Sequence, residues 1–307
     1  MSSVLERIPD KGRIAVIRIR SMGDCILTTP ALAVLKQARP DLSIAIVVEN
    51  RFRALFEGNP DVAAILPPEW RCVRRWRPDL CLNLHGGGSS AISTALSGAR
   101  FRAGFAHFQP SWIYNIRIPR AQEILGVDRK VHTAEHLASA MFYLGAPLVE
   151  IPRAKLFPSK PMPATIPDAS YAVIHPVAAL PDKTWPAERF LEVADYLKRS
   201  FELNPVFIGG PGEDLSAFDR WRTVAGAPLE EIKSLIAGAS LFVGNDSGPA
   251  HLAAAFGIPV VVIFGPSDPV VWAPWRTQAE VLAGPDGIRS VDVGQAIEAL
   301  DRLRVRA

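Results

Sequence analysis

Val243-Gly244-Asn245-Asp246-Ser247-Gly248-Pro249-Ala250-His251 decides how the whole chain is read. The apolar run Leu241 to Gly244 is a buried strand, and after a short polar loop a helix runs from Pro249 to Phe256. Proline suits the first helical position, because the N–H it lacks would have no partner there. Gly257 and Pro259 stop the helix, and Pro259 to Phe264 is the next strand. Strand, short loop, helix, strand is the unit of a parallel sheet covered on both faces. The N–H groups of Ser247, Gly248 and their neighbours point outward at the positive end of the helix dipole, which suits a diphosphate. The plainer alternative is that Ser247 or Asp246 only caps the helix and that His251 is structural.

The alternation extends outward from that stretch. Tyr171 to His175 and Pro205 to Gly209 read as strands, and Leu229 to Ala237 as a helix. A helix from Pro186 to about Arg199 carries Phe190, Val193, Ala194 and Leu197 at the spacing of one buried face. The tail from Val293 to Arg304 reads as helical. In the first half, strands are expected at Arg13 to Ile19, Ser43 to Glu49, about Val62 to Leu66, and Asp79 to Leu84. Helices follow the first of these, through about Ala38, and the last, from about Ser89 to Leu96. Between the halves, Lys155 to Asp168 holds four prolines, which resist helix and sheet and mark a linker. The expectation is α/β, with domains at 1–155 and 169–307. Each is a doubly wound sheet, and the ligand lies at the carboxyl ends of the strands, in the cleft between domains.

Composition narrows the function. The 307 residues suit two domains of about 150 each, and 49% apolar with 21% charged is a globular balance. Basic residues number 34 against 31 acidic, too even for a nucleic-acid binder, so no nucleic-acid partner is expected. No apolar run approaches the roughly 20 residues of a spanning helix, and the polar start, Met1 to Arg13, is unlike a signal peptide. A cytoplasmic protein is expected. Cys25, Cys72 and Cys81 form no metal-ligand or disulfide pattern.

Four further segments carry candidate chemistry. In Arg20-Ser21-Met22-Gly23-Asp24, Gly23 is expected to permit a tight turn, and Asp24 either caps a helix or serves as a base. In Leu180-Pro181-Asp182-Lys183-Thr184-Trp185-Pro186, Lys183 is either solvated or placed to offset a departing diphosphate. Ile208-Gly209-Gly210-Pro211-Gly212-Glu213 fits neither a dinucleotide fingerprint nor a Walker loop. Its Glu213 either holds ribose hydroxyls or favours the start of a helix. Trp70-Arg71-Cys72-Val73-Arg74-Arg75-Trp76-Arg77 is a solvated basic face, or a grip on an anionic acceptor or membrane surface. His85, near strand ends, is an acceptor candidate.

Together these segments resemble glycosyltransferase family 9, the ADP-heptose:lipopolysaccharide heptosyltransferases. The resemblance runs through Ile17-Arg18, Ser21 to Asp24 and Thr29 to Leu32, then Asn83 to Gly87 and Ser97 to Ala99. It continues in His175-Pro176, Lys183 to Pro186, Gly209 to Glu213, Gly244 to Ala255, and Phe264 to Pro269. Arg20, where the family often has a small residue, and Ala250, in place of methionine or serine, depart from it. The resemblance implies a GT-B fold, two Rossmann-like domains facing a central cleft. It also implies an inverting, metal-independent glycosyltransferase moving heptose from ADP-heptose to a lipopolysaccharide-core or related glycan. Asp24 matches the catalytic aspartate and Lys183 the phosphate-binding lysine. Asp246, Ser247, Gly248, Pro249, Ala250 and His251 match the donor-phosphate loop, and Glu213 with Gly210 the ribose-binding turn. Ser21, Gly23, His85, Arg71 and Arg74 are acceptor candidates, and the last helix is a candidate to pack back on the first domain. No cofactor and no metal are expected. The expected partners are an ADP-sugar, a lipid-linked or glycan acceptor, and, as a peripheral contact, the inner membrane. The alternatives are an epimerase or hydrolase on the same fold, a non-catalytic nucleotide-sugar binder, and a heptosyltransferase acting on protein or another glycan.

Overall fold

The computed structural model describes residues 2–158, 167, 169–303, and divides into two compact units, Met1–Phe157 and Pro158–Ala307. Most of the expected proline-rich linker, and Arg304 of the expected tail helix, lie outside the described residues.

The first unit runs β1 (Arg13–Ile17), α1 (Met22–Ala38), β2 (Ser43–Val47), β3 (Ala64–Leu66), α2 (Trp70–Trp76), β4 (Leu80–Asn83), α3 (Gly88–Leu96), β5 (Phe101–Phe105), β6 (Ile116–Ile118), α4 (Ala121–Leu125) and α5 (Thr133–Leu144). Its six strands lie in the order β3-β2-β1-β4-β5-β6, and every neighbouring pair is parallel. Strands buried on both faces need no polar alternation, and residues 14 to 17 of β1 are fully buried. Helix α5 packs along α1, while α2 and α3 pack on each other. Pro30 sits inside α1, where it removes the N–H that would bond the Ile26 carbonyl. The hydroxyl of Thr29 donates to that carbonyl instead, at 2.8 Å.

The second unit runs β7 (Tyr171–His175), α6 (Ala187–Ser200), β8 (Asn204–Gly209), β9 (Arg222–Ala225), α7 (Leu229–Ala237), β10 (Leu241–Asn245), α8 (Gly248–Phe256), β11 (Val260–Phe264), α9 (Pro269–Trp272), β12 (Ala279–Ala283) and α10 (Val293–Leu303). Its order, β12-β11-β10-β7-β8-β9, is again parallel throughout and repeats the pattern of the first sheet. The face expected on α6 is the buried one: Phe190, Val193, Ala194 and Leu197 join a core with Ile174, Phe207 and Val243. The last helix, expected to pack back on the first domain, buries Ala296, Ala299, Leu300 and Leu303 in this same core.

Two local expectations are corrected. Gly23 does not form a tight turn; it lies buried in the first turn of α1. Glu213 starts no helix; it closes a turn with Gly210, and the next helical piece is a single 3-10 turn at Ser216–Phe218.

Candidate functional site

Both sheets have their switch in strand order between the first strand and the fourth, and at each such point the loops diverge to opposite faces. In the first unit the two loops follow β1 and β4; in the second they follow β7 and β10. The candidate residues outside the arginine-rich segment gather at these two points.

In the first unit, β1 leads into Arg18, which is 8% exposed. Its guanidinium bonds the Leu84 carbonyl beyond β4 and pairs with the carboxylate of Asp24 on α1. The other carboxylate oxygen of Asp24 accepts from the Ser21 hydroxyl at 3.1 Å and the Ser21 N–H at 3.4 Å. Asp24 therefore reaches back over the helix start, as a capping residue does, and is also gripped by a cation. Burial pulls the Arg18 guanidinium down to about 10, and the Cys25 thiol beside it is pushed up to about 12 by the same cause. At the end of β4, the Asn83 amide oxygen accepts from the N–H groups of His85 and Gly86, while its NH2 donates to Ser90 and the Tyr114 hydroxyl. His85 is half-buried, and burial, with Arg18 and Arg20 nearby, lowers its pKa. Farther along this edge, His136 of α5 stacks on Phe105 at 4.0 Å, and burial lowers its pKa to about 4.

The arginine-rich segment is a helix and is not gathered at this point. Trp76 anchors it near the start of β1, donating to the Ile14 carbonyl and lying under Arg13. Arg71 is exposed over Trp70, and Arg74 lies beside Gly98, before the start of β5.

In the second unit, Lys183 stands in a 3-10 turn after β7. Its ammonium donates to the Ser267 hydroxyl at 2.5 Å and to the Asp246 carboxylate at 3.4 Å. Two close approaches fix this turn. The backbone of Gly265 lies so near that a Cβ there would come within 2.4 Å of the Asp182 carbonyl. Asn245, at the end of β10, accepts the Trp185 N–H at 3.0 Å, and the fully buried Trp185 ring donates to the Val291 carbonyl.

Helix α8 begins at Gly248, one residue before the expected Pro249, with Ser247 at the N-cap position. Ser247 does not cap it. Its hydroxyl donates to the Asn245 carbonyl at 3.1 Å and lies 3.0 Å from Nδ1 of His175. Among the described residues no side chain caps this helix. Asp246 to Pro249 form a partly exposed rim, while Ala250 and His251 are buried. Nε2 of His175 is 3.8 Å from Glu213, whose carboxylate also accepts the Gly210 N–H at 2.6 Å. The His175 contact, more than the Gly210 bond, holds the Glu213 carboxyl below its ordinary pKa.

The sequence reading gave no role to Arg18, His175 or Ser267, although all three lie in the segments it quoted. A charged Arg18 directly after the apolar run Ile14 to Ile17 was the available signal. Among the described residues, no three His, Cys, Asp or Glu side chains group as a metal site, and no helix is long and apolar enough to cross a membrane.

Residues 70–290 match the family described as glycosyltransferase family 9 (heptosyltransferase). Lipopolysaccharide heptosyltransferase 3 of Escherichia coli K12 is 26% identical over 288 residues, covering 84% of this chain and 83% of that protein. Lipopolysaccharide heptosyltransferase 1 of Salmonella typhimurium is 26% identical over 292 residues, covering 84% of this chain and 89% of that one. Among solved structures, a family 9 glycosyl transferase from Veillonella parvula superimposes with a TM-score of 0.82 at 24% identity, covering 96% of this chain and 97% of its own. The ADP-heptose lps heptosyltransferase II of E. coli gives 0.80 at 23%, covering 95% and 98%. These likenesses put the fold in the GT-B class.

Proposed function

The chain belongs to glycosyltransferase family 9, and from that membership we propose that it moves heptose from ADP-heptose to a lipid-linked glycan of the lipopolysaccharide core, with inversion and without a metal. Heptosyl transfer, the ADP-linked donor and the lipopolysaccharide acceptor are what the relatives' names carry; the residues here supply a chemistry that fits them. The second unit takes the donor and the first unit the acceptor. A nucleotide-sugar donor implies work in the cytoplasm, and a lipid-linked acceptor implies contact with a membrane surface.

The observation that carries this reading is the uncapped start of α8 beside Lys183. A helix end with no side-chain cap offers its N–H groups to an anion, and an ammonium beside it offsets further charge. In the proposed step, one carboxylate oxygen of Asp24 takes the proton of the acceptor hydroxyl. The acceptor oxygen so deprotonated attacks the anomeric carbon from the face opposite the diphosphate, the carbon–oxygen bond to phosphate breaks, and ADP leaves with the electron pair. Preorganised donors at the departing diphosphate are worth several kcal/mol, as in other sites of this kind, so the helix end and Lys183 fill the part a metal plays elsewhere. Glu213, held by His175 and Gly210, is placed to accept from ribose hydroxyls.

Thermal stabilisation by ADP, UDP and GDP, without added metal, tests the donor half. ADP at 100 times its dissociation constant stabilises by about 2.7 kcal/mol, a rise of roughly 5 to 10 °C. ADP alone is expected to act, and less so on Lys183→Ala; a preference for UDP or GDP sinks the ADP-heptose reading. Asp24→Asn, which keeps the size of the side chain, is expected to cut transfer by about 10² or more while leaving ADP stabilisation intact. Near-normal transfer by that variant removes the base assignment.

A further inference from the structure

Helix α3 is built inside out. Its Ser90, Ser93 and Thr94, and Ser97 at its C-cap, are buried, and only Ser89 among its hydroxyl residues is exposed; each buried one is satisfied by a backbone carbonyl: Ser90 bonds Gly86 and Gly87, Ser93 bonds Pro68, Thr94 bonds Ser90, and Ser97 bonds Thr94. Its two large aliphatic residues face the other way, Ile92 being 56% exposed and Leu96 41%. A helix of a soluble domain ordinarily shows the reverse arrangement. These two residues lie at i and i+4, so they form one outward ridge. Beside the ridge, the single 3-10 turn Ser111–Ile113 packs on α3 and leaves Trp112 76% exposed. Ile113 and Tyr114 sit in a small cluster with Ala91 of α3, which fixes the place of Trp112.

The surroundings are strongly basic. From Trp70 to Arg120 the chain carries eight arginines and one acidic residue, Asp79. Asp79 bonds the Arg13 N–H, near the start of β1. Seven of the eight arginines are exposed: Arg71, Arg74, Arg75, Arg77, Arg100, Arg117 and Arg120. Helix α2, which bears the first three, packs directly on α3. The whole chain has a net charge of only +3, so this one stretch concentrates the positive charge.

We propose that the outward ridge of α3, with Trp112 beside it and the arginines of α2 around it, is a docking surface for an anionic phospholipid bilayer. Aliphatic side chains and an exposed indole enter the interfacial layer, and guanidinium groups pair with lipid phosphates. The charge selects this occupant: a second copy of the chain would bring an equally basic face against it. The inference rests on the lipid-linked acceptor proposed above for its purpose, although the binding itself needs neither donor nor acceptor.

The test is flotation of the full chain with vesicles of phosphatidylcholine alone or with added phosphatidylglycerol, at low and raised salt. The protein is expected to float with the anionic vesicles only, and to be released by salt. Ile92→Ser with Leu96→Ser and Trp112→Ser is expected to weaken this binding by about tenfold or more. All three side chains are exposed, so the melting temperature and its rise with ADP stay unchanged. The inference is overturned if the wild type ignores anionic vesicles, if the triple variant binds them as well as the wild type, or if the wild type is a dimer that the triple variant splits. A wild type that floats but is not stabilised by ADP overturns the donor reading and leaves this one standing.

Discussion

Arg18 and Asp24 form the contact on which the base role proposed for Asp24 depends. An arginine only 8% exposed needs a counter-charge, and Asp24 supplies it while reaching back to Ser21. We expect Arg18 to position the carboxylate through the pair. Arg18→Met is expected to lower kcat by about tenfold or more with the rise in melting temperature on ADP intact, and Arg18→Lys to restore part of it; steady-state kinetics separates kcat from KM. The pairing was not legible in the sequence, which shows both residues but not that the strand end and the first helical turn bring them into contact. His136 offers a pH test. Burial against Phe105, with His107 and Arg18 nearby, lowers its pKa from 6.5 to about 4, so the fold favours the neutral ring. Its stabilising contribution is therefore complete above about pH 6.5 and is lost as pH falls from there through 4. The loss is on the order of 3 kcal/mol. His85 and His107 are shifted the same way by burial and add to the slope. Melting temperatures across pH 4 to 7 are expected to fall less steeply in His136→Phe.

At the scale of elements, the turn bearing Lys183 is held by backbone contacts. Gly265→Ala would set a methyl group against the Asp182 carbonyl, 2.4 Å away, with no flexible side chain to yield. We expect it to cost about 1–3 kcal/mol and to weaken ADP stabilisation together with it, because Lys183 is displaced; a thermal melt with and without ADP reads both. Ser247→Ala is expected to cost helix stability much less than a lost cap, which is typically about 1 kcal/mol, since Ser247 makes no capping bond. The strands that bury continuous apolar runs were legible: β1, β2, β4, β7, β8, β10 and β11 fall where the sequence places them, within a few residues. Strands β5, β6, β9 and β12 were not read. Phe101-Arg102-Ala103-Gly104-Phe105 interrupts its apolar run with an arginine and a glycine, and β9 and β12 are partly exposed sheet edges. Edge strands owe their place to the neighbour they pair with, which no local pattern records. The uncapped state of α8 was equally hidden: a serine before Gly-Pro reads as a cap until His175 and Asn245 are seen to claim its hydroxyl.

At the scale of the molecule, the repeated strand order gives two separate supports, one for Asp24 and one for the loop proposed to hold the donor. Hydrogen exchange with ADP is expected to protect amides around Lys183, Gly210, Ser247 and Ser267 while leaving residues 1–157 unchanged. Protection around Asp24 instead would contradict the assignment of the donor to the second unit. The alternation of strands and helices made this layout legible before any contact was known, because periodicity and chain breaks survive in sequence. The strand order carries a further consequence, for synthesis. In each sheet the strand made first becomes central, and one of its two neighbours is made last but two. Ile14 of β1 pairs with Leu80 of β4, and Ala172 of β7 with Leu241 of β10. A ribosome adding about 5–20 residues per second needs roughly 3 to 14 seconds to supply each late partner. Twice in its making, therefore, this chain carries a largely apolar strand with one edge open, and those two intervals are when a nascent-chain chaperone has most to protect.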